Sequence, residues 1–168
     1  MEKSHSNYSK LPYRKGVGMM ILNNEGKVFL GKRLDSKYEA WQMPQGGIDD
    51  AETPSKAVKR EMFEEIGCDL GEIVAETRRW YSYDIPEFLA GKLWGGKYKG
   101  QKQKWFLIKF TGNDSDINIH THHPEFREWC WADPKDLPQL IVPFKKILYD
   151  AVLEEFVPLI PDLLKVQE

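Results

Sequence analysis

An α/β architecture is expected for this chain, with a mixed β-sheet sandwiched by helices. Strand-like runs alternate with two stretches of helical periodicity, the pattern of a sheet covered by helices. One of those stretches carries start and stop signals at its two ends. The length of 168 residues, with 41% apolar and 30% charged residues, suits one soluble domain with a real core and is short for two. That domain is assigned to residues 13–160, with a polar, flexible lead-in over 1–12 and a tail over 161–168.

Taken in order, residues 17–22 read as a buried strand. Asn23-Asn24-Glu25-Gly26 is turn chemistry, and residues 27–33 return as the second strand of a hairpin. Residues 41–44 form a short extended piece that leads into Gln45-Gly46-Gly47. Thr53 then suits a helix N-cap, Pro54 the first helical position, and Gly67 the left-handed position past the end. Ala57, Met62 and Ile66 form the expected buried side of this helix. Residues 73–85 read as one strand, 104–110 as a central strand and 127–132 as another. Residues 143–156 have helical periodicity, with Phe144, Ile147, Leu148, Ala151, Val152 and Phe156 on one face.

A net charge of −2 provides no general grip on nucleic acid, so such binding must rest on a local basic patch. No DNA-binding role is expected. Cys68 and Cys130 are the only cysteines and form no CxxC pair, which argues against a disulfide framework or a cysteine zinc site and fits a reducing cytosol. His120, His122 and His123 lack the further ligand a zinc site needs. The N-terminal segment has no apolar signal core, and no apolar run of membrane-spanning length exists, so a cytoplasmic, membrane-free protein is expected.

The chemistry is concentrated between Gly46 and Cys68, reading GGIDDAETPSKAVKREMFEEIGC. On a helix, Glu61 lies beside Glu64 and Glu65, and Arg60 lies beside Glu64. Carboxylates this close repel one another unless a cation compensates them, and Arg60 brings a single positive charge. The remainder points to a hard divalent ion with oxygen ligands, Mg²⁺ or Mn²⁺, of the kind most often found handling phosphate. Taken alone, REMFEE also reads as a solvated charged face.

The wider pattern decides between these readings. Gly46, Glu52 and Arg60-Glu61-Met62-Phe63-Glu64-Glu65-Ile66-Gly67 resemble the signature box of the Nudix hydrolases, with Cys68 where the family carries an aliphatic residue. The resemblance implies a Nudix-type α/β/α sandwich. It assigns the Gly46 carbonyl, Glu61, Glu64 and Glu65 to the metal, Arg60 to orienting the carboxylates, and Glu52 to closing the loop against the helix. The cofactor implied is Mg²⁺, with Mn²⁺ as its substitute.

Further matches lie downstream. His123-Pro124-Glu125-Phe126-Arg127-Glu128-Trp129 and Gly100-Gln101-Lys102-Gln103-Lys104-Trp105-Phe106 resemble segments of one Nudix subgroup, the RNA pyrophosphohydrolases and dinucleoside polyphosphate hydrolases. In that subgroup the residue matching Glu125 joins the metal cluster or serves as base, which leaves the base open between Glu61 and Glu125. The same resemblance places Arg14, Arg33 and Lys104 on phosphate, Gln45 and Tyr83 at the nucleotide, and Phe144 and Lys145 on a base and the next nucleotide. Phe144 reads equally as helix-face core.

The implied activity is Mg²⁺-dependent hydrolysis of phosphoanhydrides. Its implied substrates are diadenosine tetra- or pentaphosphate, releasing ATP, and the 5′-triphosphate end of RNA, releasing pyrophosphate. The alternatives are cleavage of ADP-ribose or nucleoside triphosphates on the same box, and a non-catalytic nucleotide-binding module.

Overall fold

The computed structural model describes residues 10–34 and 40–165. Most of the lead-in expected over 1–12, and the tail beyond Lys165, lie outside the described residues. Among the described residues eight strands hydrogen-bond into one mixed sheet: β1 (Tyr13–Leu22), β2 (Val28–Arg33), β3 (Trp41–Gln42), β4 (Gln45–Gly47), β5 (Gly71–Glu76), β6 (Tyr81–Asp84), β7 (Gly100–Phe110) and β8 (Phe126–Ala132). The path runs β3-β2-β1-β7-β5, with β4 against β1, β6 against β7 and β8 against β2.

The centre of the sheet is the parallel pair of β1 and β7, in register from Tyr13↔Gly100 to Leu22↔Lys109. Alternation along these two strands sends side chains to opposite faces. Val17, Met19, Ile21, Phe106 and Ile108 pack on one face against Ala57, Val58, Met62 and Ile66 of helix α1 (Pro54–Ile66). Met20, Leu22, Trp105 and Leu107 pack on the other against Leu148, Tyr149, Val152 and Phe156 of helix α4 (Lys146–Phe156). The fold is therefore the expected α/β/α sandwich. Short helices α2 (Glu87–Ala90), α3 (Leu137–Leu140) and α5 (Ile160–Lys165) complete it, and Leu163 and Leu164 of α5 pack against the α4 layer. Among the described residues no helix is long and apolar enough to cross a membrane.

Four expectations need correction. The strand expected over residues 17–22 begins at Tyr13, because its first residues pair with the start of β7. The single strand expected over 73–85 is two strands, β5 and β6, which pair with different halves of β7. The break is built at Thr77, whose N–H donates to Trp105 O and whose hydroxyl accepts from Trp105 N and donates to Arg79 O. The strand expected over 104–110 begins earlier, at Gly100, because its first half carries β6.

The face expected for the last long helix is also different. Residues Pro143–Lys145 form a 3₁₀ turn, and the α-helix starts only at Lys146. Tyr149 and Leu153 join Leu148, Val152 and Phe156 inside, while Ile147 is 87% exposed. Tyr149 fixes that rotation, because its hydroxyl accepts the Met43 N–H at 2.9 Å within the core.

Candidate active site

Helix α1 begins and ends where the sequence says it should. Thr53 accepts a hydrogen bond from Lys56 N, Pro54 fills the first turn, and Gly67 adopts φ 80° while its N–H donates to Phe63 O. These caps fix the helix phase, and the phase decides which carboxylates face the sheet. Glu65 is buried on the inner side, Glu61 sits at the rim, and Glu64 is half exposed.

Arg60 ties this helix to the loop before it. Its Nε and Nη2 hold both oxygens of Glu52 at 2.8 and 2.9 Å, and Nη2 also reaches Gly47 O at 2.8 Å. Its Nη1 donates to Glu61 at 2.9 Å and Glu64 at 3.1 Å. Glu52 in turn accepts the Asp49 N–H, which closes the loop on itself. The two-pronged bond from Arg60, aided by that N–H, holds the Glu52 carboxyl down at about 2. Glu52 likewise pushes the Arg60 guanidinium above its usual range.

Gly46 brings the backbone against Glu61. A Cβ on Gly46 would lie 1.9 Å from Glu61 Cδ, so glycine leaves this carboxylate its place and any side chain there would push it aside. Burial raises the Glu61 carboxyl, and Arg60 partly opposes that rise. Glu65 is raised much further by burial, with the charges of Glu61 and Glu125 adding to the effect. One Glu65 oxygen has no hydrogen-bond partner.

Glu125 stands on the loop before β8 and lies 3.7 Å from Arg33 Nη2, while its backbone oxygen accepts the Leu34 N–H. The structure thus brings Glu61, Glu64, Glu65, Gly46, Glu125, Arg60 and Arg33 to one end of the sheet. Among the described residues no three acidic side chains, histidines or cysteines converge tightly enough to enclose an ion, and Arg60 bridges Glu61 and Glu64. The donor set nevertheless fits a hard divalent cation. It is all oxygen, it exceeds its local positive charge, and it includes a buried carboxylate oxygen lacking a partner.

On the α4 side of the sheet lies a second cluster. Tyr83, Gln45, Gln101 and Arg14 are joined by hydrogen bonds. Phe144 packs beside Tyr83 with ring centroids 6.0 Å apart, and Lys145 Nζ lies 5.5 Å from the Tyr83 ring. Lys145 is buried with its Nζ 3.4 Å from Gln42 Oε1. Burial, with the nearby Arg33 charge, lowers its ammonium to about 7. Phe144 is half-buried against the α4 core, so it is both part of that packing and at the edge of the cluster.

Lys104 stands apart from this cluster. It is half-buried and, by the alternation of β7, on the opposite face from Gln101 and Gln103.

A groove of about 480 Å³ opens alongside, lined by Tyr13, Arg14, Lys15 and Tyr98 on one side and by Asp49 and Glu52 on the other. The Arg14 guanidinium sits 5.4 Å from the Trp94 ring, and Lys99 Nζ 4.6 Å from the Tyr13 ring. Sequence reasoning passed over Gln42 and Gln103 as site residues. For Gln103 the available signal was two amides at alternate positions of β7, Gln101 and Gln103, in step with the buried Trp105.

A family profile described as the NUDIX domain matches residues 12–152. The chain is 59% identical over 160 residues to an RNA pyrophosphohydrolase of Rickettsia typhi, covering 95% of this chain and 99% of that protein. It is 58% identical to the RNA pyrophosphohydrolase of Rickettsia prowazekii over the same shares. Among solved structures it resembles a C. elegans Ap4A hydrolase (TM-score 0.62, 20% identity, 86% of this chain and 98% of that one). It also resembles the E. coli dihydroneopterin triphosphate pyrophosphohydrolase (TM-score 0.66, 18% identity, 88% and 99%). At those identities the structural matches speak for the fold alone.

Proposed function

The chain belongs to the Nudix family, and from that premise we propose that it is a Mg²⁺-dependent pyrophosphohydrolase of nucleotide ends. Its substrates are the 5′-triphosphate end of RNA, from which it releases pyrophosphate, and diadenosine tetra- or pentaphosphate, from which it releases ATP. The observation that carries this reading is the meeting of two charge systems at one end of the sheet. Oxygen donors that exceed their local cations stand on α1, and Arg14, Arg33 and Lys145 stand beside them. The curated relatives at 58 and 59% identity, matched over nearly their whole length, support the same activity.

The Gly46 carbonyl, Glu61, Glu64, Glu65 and Glu125 are the groups we assign to the divalent ion, Mg²⁺ or Mn²⁺. When bound, that ion offsets the carboxylates' charge and the charge building on the phosphate oxygens. The remaining work falls to the chain. Arg60 orients Glu61 and Glu64 through its fixed bonds, and with Glu52 it holds the Gly47–Glu52 loop in place. Arg14 and Arg33 hold the phosphates through the fork of the guanidinium. Tyr83, Gln45, Phe144 and Lys145 receive the nucleotide, and Lys104 is left for phosphate extending toward the α1 face.

Water attacks a phosphorus, and a carboxylate of Glu61 or Glu125 takes its proton. The bond from that phosphorus to the bridging oxygen breaks, and the leaving phosphate departs on that oxygen. The setting we propose is the cytoplasm, in keeping with two unpaired cysteines.

The experiment is a comparison of kcat/KM for triphosphorylated RNA and for diadenosine tetraphosphate, with and without chelator. Release of pyrophosphate or ATP that stops on chelation and returns with Mg²⁺ is expected. Failure to cleave either substrate, or cleavage unaffected by full chelation, rejects the reading.

A further inference from the structure

Six side chains, Trp105, Gln103, Gln45, Tyr83, Gln101 and Arg14, form in that order a continuous hydrogen-bonded chain with a donor-only group at each end. At one end the Trp105 indole N–H donates to Gln103 Oε1 at 3.1 Å. An indole can only donate, so Gln103 must present its oxygen to Trp105 and its NH₂ the other way. That NH₂ meets Gln45 Oε1 at 3.2 Å, and Gln45 must then turn its own NH₂ to the Tyr83 hydroxyl, at 3.3 Å. At the other end Arg14 Nη1 donates to Gln101 Oε1 at 3.2 Å, and a guanidinium also only donates. Gln101 therefore turns its NH₂ to the same hydroxyl, at 2.8 Å.

Both lone pairs of the Tyr83 oxygen are thus occupied by N–H groups of fixed direction. Its one hydrogen remains to be donated, and it makes no hydrogen bond to an acceptor among the described residues. The surroundings are those of an anion site, with Arg14 at one end of the chain and Lys145 near the ring. Gln103 and Trp105 are themselves wholly buried, so they act only through Gln45 and Tyr83.

We propose that Gln103 and Trp105 are positioning residues that commit the Tyr83 hydroxyl to donating its hydrogen to a phosphate oxygen of the substrate. This rests on the reading of the site as one that holds polyphosphate. The chain sets direction rather than strength. Without the indole N–H, or without Gln103 to pass its direction on, the Gln45 amide is free to turn its oxygen toward Tyr83. The hydroxyl then donates inward and is lost to the substrate.

The test is a double-mutant cycle on Tyr83→Phe and Gln103→Met, read as calorimetric binding of ATP and as kcat and KM for diadenosine tetraphosphate. Tyr83→Phe is expected to weaken ATP binding about tenfold, the effect of one hydrogen bond to a charged acceptor. Gln103→Met is expected to weaken it severalfold with Tyr83 present, and by less than about twofold when combined with Tyr83→Phe. In turnover the loss appears in KM, with kcat little changed.

Any stability cost of Gln103→Met appears in both backgrounds, whereas the binding cost appears in one. Equal weakening in both backgrounds overturns the proposal, as does wild-type binding by Gln103→Met or an unmodified chain that binds ATP no better than Tyr83→Phe. If the unmodified chain binds ATP with this pattern yet cleaves neither substrate, the proposed function falls and the positioning role stands.

Discussion

Gly46 and Glu61 are packed so closely that one added methyl group on the glycine would lie 1.9 Å from the carboxylate carbon. The contact sets where Glu61 can point. Gly46→Ala is therefore expected to push the carboxylate aside and reduce kcat by about 100-fold, the scale of an ångström-size misplacement at a reacting centre. The melting temperature should fall far less, since the displaced group is at the rim. A variant with near-normal kcat would show that this carboxylate's position does not matter to the reaction.

Glu65 predicts a divergence between stability and activity. Its carboxyl is raised by burial, so between its ordinary value and its folded value the unfolded chain gives up a proton that the folded chain keeps. Stability without divalent ion should thus fall as pH climbs above about 4.5. Glu65→Gln removes that slope and should melt higher than the parent in chelator at neutral pH. Adding Mg²⁺ should raise the melting temperature of the parent and leave the variant little changed, because only the parent gains by binding. Turnover in Glu65→Gln should be lost. Equal Mg²⁺ stabilisation of both proteins would remove Glu65 from the metal set.

The Arg60–Glu52 pair predicts an acid signature. Glu52 is held at about 2 by Arg60, below its unfolded value of 4.5. The stabilisation is complete above the unfolded value and is lost as pH falls from about 4.5 toward 2. Arg60→Gln should flatten this part of the curve of melting temperature against pH. It should also cut kcat sharply, since Glu61 and Glu64 lose their common anchor.

Lys145 has the pH slope opposite to that of Glu65. Burial lowers its ammonium to about 7, so between about 7 and 10.5 the unfolded chain binds a proton that the folded chain does not. Stability contributed by this site should rise with pH across that window. Lys145→Met removes the cost of the buried cation and should melt several degrees higher at pH 7 while weakening substrate binding. A lower melting temperature would mean that the bond to Gln42 outweighs the burial cost.

How far the sequence could be read depended on whether the deciding contacts were local. Helix α1 was legible at both ends because its caps, Thr53, Pro54 and Gly67, and its carboxylate spacing act within one element, whereas the burial of Val58 and Glu65 was not foreseen. The break at Thr77 was not legible. Thr is a good strand former, and its task there depends on Trp105, which is 28 positions away. The rotation of α4 was missed for a similar reason, since Tyr149 is held by Met43 from across the chain. The hydrogen-bonded chain through Gln45, Gln101 and Gln103 draws on separate strands, and no spacing rule foretells it. The resemblance to a family placed Arg14, Arg33 and Glu125 near the helix, which periodicity alone would not have done.

The long parallel pairing of β1 and β7 has a consequence for descent as well as for shape. Successive residues on these strands serve opposite sides, so the packing under the acid-bearing helix and the Gln101–Tyr83 layer are coded at alternating positions. Point changes on the α4 side reach the Gln101–Tyr83 layer without altering the apolar residues packed under the acid-bearing helix. On the roles proposed above, a lineage carrying this sheet can change its nucleotide layer by single steps while the packing of its acid-bearing helix is kept.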